Sequence, residues 1–213
     1  MGKKFVASYS GGKDSCFAVY KAVKEGLVPI ELITTYNENR SWFHGIQDSL
    51  LQRVSASLEI PLTLVRTSGE LYHINFERAL MTAKEKGAEL CVFGDIDIEE
   101  HLEWCTARCR ATGITPYFPL WKRERKDVVN EFLDAGFSSL ITVVNTEKLS
   151  DKFLGCVLSH DIVNEIEESG ADACGENGEY HSFTFDGPLF RRKLDFTVKD
   201  KIMIDSYAII PLE

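Results

Sequence analysis

The stretch Ser10-Gly11-Gly12-Lys13-Asp14-Ser15 constrains this chain more than any other. It follows the apolar run Phe5-Val6-Ala7 directly and precedes an amphipathic segment that starts near Asp14. A strand, a glycine turn and a helix start together make an anion site. Two glycines let successive backbone N–H groups curl round an anion without a Cβ in the way, and a helix start adds the positive end of its dipole. Lys13 supplies a mobile full charge, and the hydroxyls of Ser10 and Ser15 can meet phosphate oxygens or a magnesium ion. The commonest phosphate loop keeps four residues between its first glycine and its Gly-Lys pair, whereas nothing separates Gly11 from Gly12-Lys13 here. A plain glycine-rich helix entry would not need a lysine, an aspartate and two serines together.

Hydrophobic periodicity then alternates between strand and helix. It predicts a helix over 14–25, with Cys16, Val19, Tyr20 and Val23 inward and Gly26 as its stop. Strands are expected at 29–36, 62–65 and 90–93, and helices at 47–58 and 75–86. Asp97 with Glu100 forms a capping-box pattern for a further helix that ends before Gly113. Short strands apolar on both faces, joined by helices, predict an α/β fold: a doubly wound, mostly parallel sheet covered on both sides. Ligands in such folds sit at the carboxyl ends of the strands near the topological switch point, where residues 10–15 fall if their strand is central. The pattern changes after Trp121, with helices expected at 126–135 and 160–167, a strand at 139–144, and strand-like alternation at 194–198 and 202–210. The expected division is a nucleotide domain over 1–121 and a smaller α+β portion over 122–213.

With 213 residues, 44% of them apolar and 27% charged, the chain has an ordinary globular composition and can bury a proper core. No apolar run approaches the ~20 residues that span a bilayer, and the start shows no signal peptide, so a cytoplasmic protein without a membrane partner is expected. A net charge of −9 weighs against nucleic acid as the main partner. The densest basic cluster, Lys122-Arg123-Glu124-Arg125-Lys126, reads as a solvated face. Six cysteines follow no paired framework and read mainly as small core thiols. Composition says nothing of oligomeric state.

Beyond the loop, Gly94-Asp95 closes the fourth strand and should share the rim with residues 10–15. Asp95 could hold magnesium or orient a nucleophile, or the pair could simply form a turn. His101, Trp104, Cys105 and Arg108 share a helix face that could line the cleft. His101, Cys105 and Cys109 also sit at intervals that zinc could use, although one helix rarely supplies three ligands. A second dense stretch is Gly175-Glu176-Asn177-Gly178-Glu179-Tyr180-His181-Ser182-Phe183. Glu176 and Glu179 could bracket a cation or accept a proton, and Gly178 could admit a substrate to the backbone; on composition alone an exposed polar turn before a strand is the plainer reading.

S-G-G-K-D-S after a first strand resembles the ATP pyrophosphatase (PP-loop) enzymes, with their Rossmann-like fold. The loop combined with Gly94, Asp95, His101, Trp104 and the late G-E-x-G-E-[aromatic]-x-[ST]-F…D-x-P-[LM]-F resembles the diphthine–ammonia ligase family over residues 5–190. The resemblance implies ATP-dependent amidation of diphthine, a modified histidine on elongation factor 2, by ammonium, through an adenylated carboxyl group with release of AMP and pyrophosphate. Carried over by position, Ser10, Gly11, Gly12, Lys13, Asp14, Ser15 and Gly94 serve ATP, and Lys13, Asp14, Asp95 and Glu179 the chemistry. Asp14 is the candidate Mg2+ ligand, and His101, Trp104, Glu176, Asn177, Gly178, Glu179 and Tyr180 lie on the acceptor side. Asn177 stands where many members have a second glycine. Elongation factor 2 is the implied partner where the source makes diphthamide.

Two other functions share features of the loop. RNA-thiolating enzymes adenylate a base oxygen, but usually add a reactive cysteine pair and a basic RNA path, whereas here the closest cysteines are Cys105 and Cys109 and the charge is strongly negative. A non-catalytic nucleotide sensor would have no use for Lys13-Asp14 beside the first strand.

Overall fold

The computed structural model describes residues 2–37 and 46–213. Their contacts divide into two compact units: one from the described residues of Met1–Ser10, Asp14–Ser41 and Glu59–Lys122, the other from those of Gly11–Lys13, Trp42–Leu58 and Arg123–Glu213.

The first unit is built on strands β1 (Lys4–Ser8), β2 (Val28–Asn37), β3 (Leu62–Thr67), β4 (Leu90–Val92) and β5 (Thr115–Tyr117), in the order β3-β2-β1-β4-β5. Every neighbouring pair is parallel. Phe5, Val6 and Ala7 of β1 are fully buried, as a central strand covered on both faces requires. The face carrying Val6, Ile33 and Cys91 packs on Phe76, Leu80 and Ala83 of helix α3 (Tyr72–Glu85) and on Cys105 and Cys109 of α4 (Glu99–Thr112). Strand alternation turns Phe5 and Ala7 to the opposite face. Helix α1 (Lys13–Lys24) buries Cys16, Phe17, Ala18, Val19 and Ala22, while Tyr20 and Val23, expected inward, are half-buried at its margin. From β1 the chain moves outward through β2 and β3, then returns to β4 on the other side of β1, which sets the switch point between β1 and β4.

The second unit holds an antiparallel sheet of β6 (Ser138–Asn145), β7 (Tyr180–Asp186), β8 (Ile202–Ile204) and β9 (Tyr207–Ile209), ordered β7-β6-β9-β8. Helices α5 (Arg125–Asp134) and α6 (His160–Glu168) accompany it, and a core of Ile141, Val144, Phe153, Ile166 and Tyr180 lies within it. Helix α2 (Asp48–Leu58), which chain order places between two strands of the first unit, groups with the second. It buries Leu50, Leu51, Val54 and Leu58, and its Ser57 hydroxyl donates to the Arg192 carbonyl at 2.7 Å.

Three details differ from the sequence reading. The edge strand β5 is only three residues long and contains Pro116, which an edge tolerates but a sequence pattern hides. Helix α4 starts with Ile98 at its N-cap and no side-chain cap bond, so the Asp97–Glu100 capping box does not set its register. Residues 194–198 form no strand: Val198 makes a single bridge to Leu212, Thr197 and Glu213 exchange backbone bonds, and the Lys199 N–H donates to the Pro211 carbonyl. The six cysteines are all free, and all but the half-buried Cys156 are buried. Among the described residues no helix is long and apolar enough to cross a membrane.

The helix face assignment is testable on α3. Leu80→Ala, at a fully buried site, should cost about 2–5 kcal/mol in urea unfolding, whereas Met81→Ala, at 53% exposure one residue on, should change stability by no more than ~0.5 kcal/mol.

Candidate active site

The chain leaves β1 through Tyr9, whose N–H donates to the Ile33 carbonyl at 2.8 Å and whose carbonyl accepts from the Thr34 hydroxyl at 2.5 Å. These bonds to β2 fix where the loop begins. The Ser10 N–H donates to Ser15 Oγ at 3.3 Å, and the two serine hydroxyls lie 3.2 Å apart, so the serines tie the loop's ends together. Gly11 has φ +84°, the left-handed region that glycine enters without strain. An added Cβ there would also press on Leu51 and Ile46 at 3.1 and 3.3 Å. The Gly11 carbonyl accepts from the Thr184 N–H at 2.9 Å, and the Lys13 N–H donates to Ser182 Oγ at 3.4 Å.

Lys13 corrects an expectation. Its side chain is not a freely mobile charge: the residue is only 4% exposed, and its ammonium sits 5.6 Å from the centre of the Tyr180 ring, on the face that attracts cations. A lysine held this way is pre-positioned.

On the same rim as Asp14 and Ser15, the chain leaves β4 through Phe93 and Gly94. A Cβ on Gly94 would stand 2.8 Å from the Asp14 carbonyl carbon and from the Ser15 nitrogen, so only glycine lets the two backbones meet. Asp95 follows. Burial pushes its carboxyl above the usual range, the neighbouring His101 pulls it back, and the negative charge of Asp14 adds to the rise. His101 Nδ1 lies 3.2 Å from Asp95 Oδ1, and the Cys105 thiol is 4.0 Å from Oδ2. Asp95 is therefore engaged by side chains of the next helix, which a bare turn pair would not require.

The α4 stripe splits. His101 reaches Asp95, while Trp104 packs on Tyr72 and Phe76 with ring centres 5.4 and 5.6 Å away. Arg108 lies over the Trp104 ring and pairs with Glu77 at 3.2 Å. Cys105 and Cys109 belong to the apolar core, and burial, then the charge of Asp95, pushes the Cys105 thiol upward, so the zinc spacing serves packing.

In the second unit, residues 172–180 make a turn whose organiser the sequence reading missed. Asp172 accepts from the N–H groups of Cys174 at 2.9 Å and Glu176 at 3.0 Å, and pairs with Arg125 at 2.6 Å. Arg125 also donates to Asn177 Oδ1 at 2.9 Å, and Lys148 donates to the Asn177 carbonyl. Glu179 is buried, so the exposed-turn reading fails for it: Oε1 accepts from the Asp172 N–H at 3.3 Å and from Asn177 Nδ2 at 3.2 Å, while Oε2 has no hydrogen-bond partner. Gly175 at φ +77° lies under Tyr180, whose hydroxyl donates to the Ala173 carbonyl at 2.8 Å. An aspartate two residues before a Cys-Gly-Glu turn was the available signal for Asp172. Ser182 fills the [ST] position of the late motif, but nothing local pointed to Arg125 as the partner of Asp172. The basic cluster at 122–126 is neutralised cation by cation, through Lys122–Glu99, Arg123–Glu131, Arg125–Asp172 and Lys126–Glu167.

A parallel sheet with its switch point between β1 and β4, and a short Gly-Gly-Lys loop at the end of β1, define a Rossmann-like α/β protein of the PP-loop kind. Family comparison narrows this further. The diphthamide synthase N-terminal domain matches residues 3–116 and the diphthamide synthase C-terminal domain residues 124–210. The chain belongs to the diphthamide synthase family. It is similar to proteins named diphthine–ammonia ligase: that of Danio rerio is 23% identical over 98% of this chain and 92% of its own length. The Homo sapiens protein is 23% identical over 98% of this chain and 88% of its own, and the Schizosaccharomyces pombe protein 21% identical over 93% and 37%.

Two substitutions probe this geometry. Gly94→Ala should lower the melting temperature and disturb ligand binding at the loop, because backbone atoms 2.8 Å away cannot yield as a side chain would. For Asp95, the raised folded value means that its contribution to stability is full below the ordinary 3.8 and lost as pH rises through the raised value. Asp95→Asn should therefore melt higher than the parent at neutral pH, with the gap closing as pH falls toward 3.8 in a calorimetric series.

Proposed function

We propose that this chain is an ATP-dependent amide ligase, which adenylates a carboxylate and passes ammonia to it. The observation that carries the reading is the Ser10–Ser15 loop that leaves β1 at the switch point, with the backbone of Gly94 set against its Asp14–Ser15 peptide. Membership of the diphthamide synthase family supports it. The names of its relatives support diphthine as the acceptor and ammonia as the nitrogen source; elongation factor 2 is the protein partner this reading proposes, where the source makes diphthamide.

In this mechanism the acceptor carboxylate oxygen attacks the α-phosphorus of ATP, the bond to the β-phosphate breaks, and pyrophosphate leaves. Lys13, fixed against Tyr180, meets the charge that grows on the departing group, assisted by the start of α1 and the hydroxyls of Ser10 and Ser15. Ammonia then attacks the acyl carbon, AMP departs and one proton is lost. Asp14 is the candidate Mg2+ ligand, with Asp95 beside it. These two carboxylates are close enough for Asp14 to push Asp95 upward, which suits a dication that would relieve the repulsion and neutralise pyrophosphate charge. His101 positions Asp95, and Trp104 stands further along the same helix. Glu176, Asn177, Gly178, Glu179 and Tyr180 serve the second substrate.

Thiolation of an RNA base needs a thiol that ionises, and burial pushes Cys16 up to about 12 and raises Cys105 as well. That disfavours the sulfur-transfer reading. A sensor would not need Lys13 clamped at a leaving-group position.

Lys13→Ala should slow AMP release at least ~10-fold, since one charge-assisted contact is worth about 1.5–3 kcal/mol. AMP and pyrophosphate should form only with the acceptor present and should stop in chelator, returning with magnesium. ADP as the product, or an unchanged rate in a Lys13→Ala protein that still melts cooperatively, would remove this mechanism.

A further inference from the structure

Glu179 stands out when buried carboxylates are compared. Glu31, at 3% exposure, also has an unbonded Oε2, but its charge is met: Lys86 lies 2.7 Å from its Oε1, and Thr63 donates to the same oxygen at 2.5 Å. Glu179, at 5% exposure, receives only neutral donors on Oε1, and no ion pair reaches it among the described residues. The two cations that hold this turn are engaged on other residues, Arg125 on Asp172 and Lys148 on the Asn177 carbonyl. A buried carboxylate with one orphaned oxygen and no counter-charge is costly, because desolvation is uncompensated. What completes it must bring positive charge and an N–H or O–H donor.

We propose that Glu179 Oε2 is the seat of the ammonium ion. The inference rests on the ligase reading for its purpose, though not for its chemistry. Ammonium brings both a charge and donors, and is about the size of a water. A quaternary ammonium, such as the trimethylated group of diphthine, has charge but no N–H and leaves the oxygen unbonded. A lysine or arginine side chain would need room for its stem. Oε2 itself is closed to a water-sized molecule in this conformation; the adjoining Gly178, at φ +80°, borders open space, an added Cβ there meeting no atom within 4 Å, so ammonium reaches the oxygen through a shift of this turn. Asn177, exposed between Gly178 and the rest of the turn, holds Oε1 and so aims Oε2. The turn is thereby a positioning device, fixed from behind by Asp172 and Arg125.

The test is a melting series of the full chain at constant ionic strength, with ammonium chloride against tetramethylammonium chloride. Ammonium should raise the melting temperature of the wild type, tetramethylammonium should not, and Glu179→Gln should abolish the difference. Equal shifts for both salts, or an ammonium-specific shift kept by Glu179→Gln, would overturn the assignment. Should that variant not fold, Glu179→Asp, which draws the oxygen back by one methylene, is read in its place. A kinetic arm separates this inference from the ligase reading. With a diphthine-bearing acceptor, the ammonium KM of Glu179→Gln should rise at least ~10-fold, the worth of a hydrogen bond to a charged group, and ATP–pyrophosphate exchange of the wild type without ammonium is measured alongside. An ammonium-specific shift without wild-type exchange would leave the seat standing and remove the ligase reading; exchange intact with an unchanged ammonium KM would remove the seat alone.

Discussion

The approach of Gly94 to the peptide between Asp14 and Ser15 is the constraint on which the first unit's site depends. At 2.8 Å from where a Cβ would stand, the two backbones are in contact, and contact is what makes neighbouring strands β1 and β4 share one rim. The residue after a central strand, the first turn of its helix and the residues closing the next strand are thereby set in a fixed relation. Everything the rim presents follows: the serines that tie the loop, the aspartates close enough to feel each other, and the histidine that reaches back from α4. A side chain at Gly94 would force one backbone to move and take the loop with it.

What the sequence made legible was what is encoded locally. The anion loop is six consecutive residues whose types have few other uses, and the strand–helix alternation is periodicity within single elements. The alternation is found in the fold, the six residues join β1 to α1, and β1 is central, which the reading held only as a condition. Short or irregular pieces were not legible. The three-residue strand β5, carrying a proline, has too few side chains to show a period, and α4 begins without the cap its sequence advertised. Residues 194–198 alternate like a strand but pair in part with the chain's last residues, a partner no local pattern names.

The turn at 172–180 shows the same limit from another side. Glu176 and Glu179 were visible as carboxylates, but their environments differ: the Glu176 N–H donates to the Asp172 carboxylate, while the Glu179 carboxylate accepts from the Asp172 N–H. Arg125, 47 residues away in sequence, secures Asp172. Burial of Glu179 is a product of that long-range pair, so composition favoured an exposed turn. The grouping of α2 with the second unit is equally invisible in chain order, which suggests a helix between two strands of one sheet. Tertiary partners chosen across the chain decide both.

Burial also decides which chemistry the cysteines can take part in. Five of the six are buried, burial raises Cys16, Cys91 and Cys105, and the half-buried Cys156 donates its thiol to the Lys152 carbonyl. A thiol becomes a nucleophile when its surroundings favour the anion, and an apolar core does the reverse. Carboxylates and a lysine are the groups that this fold places with care: Lys13 over an aromatic face, Asp95 against His101, Glu179 between neutral donors. In the proposed reaction such groups bind, orient and neutralise. The attacking nitrogen in that reaction is ammonia from solution, so what the proposal asks of these side chains is to position the activated acyl group and to seat the ammonium ion.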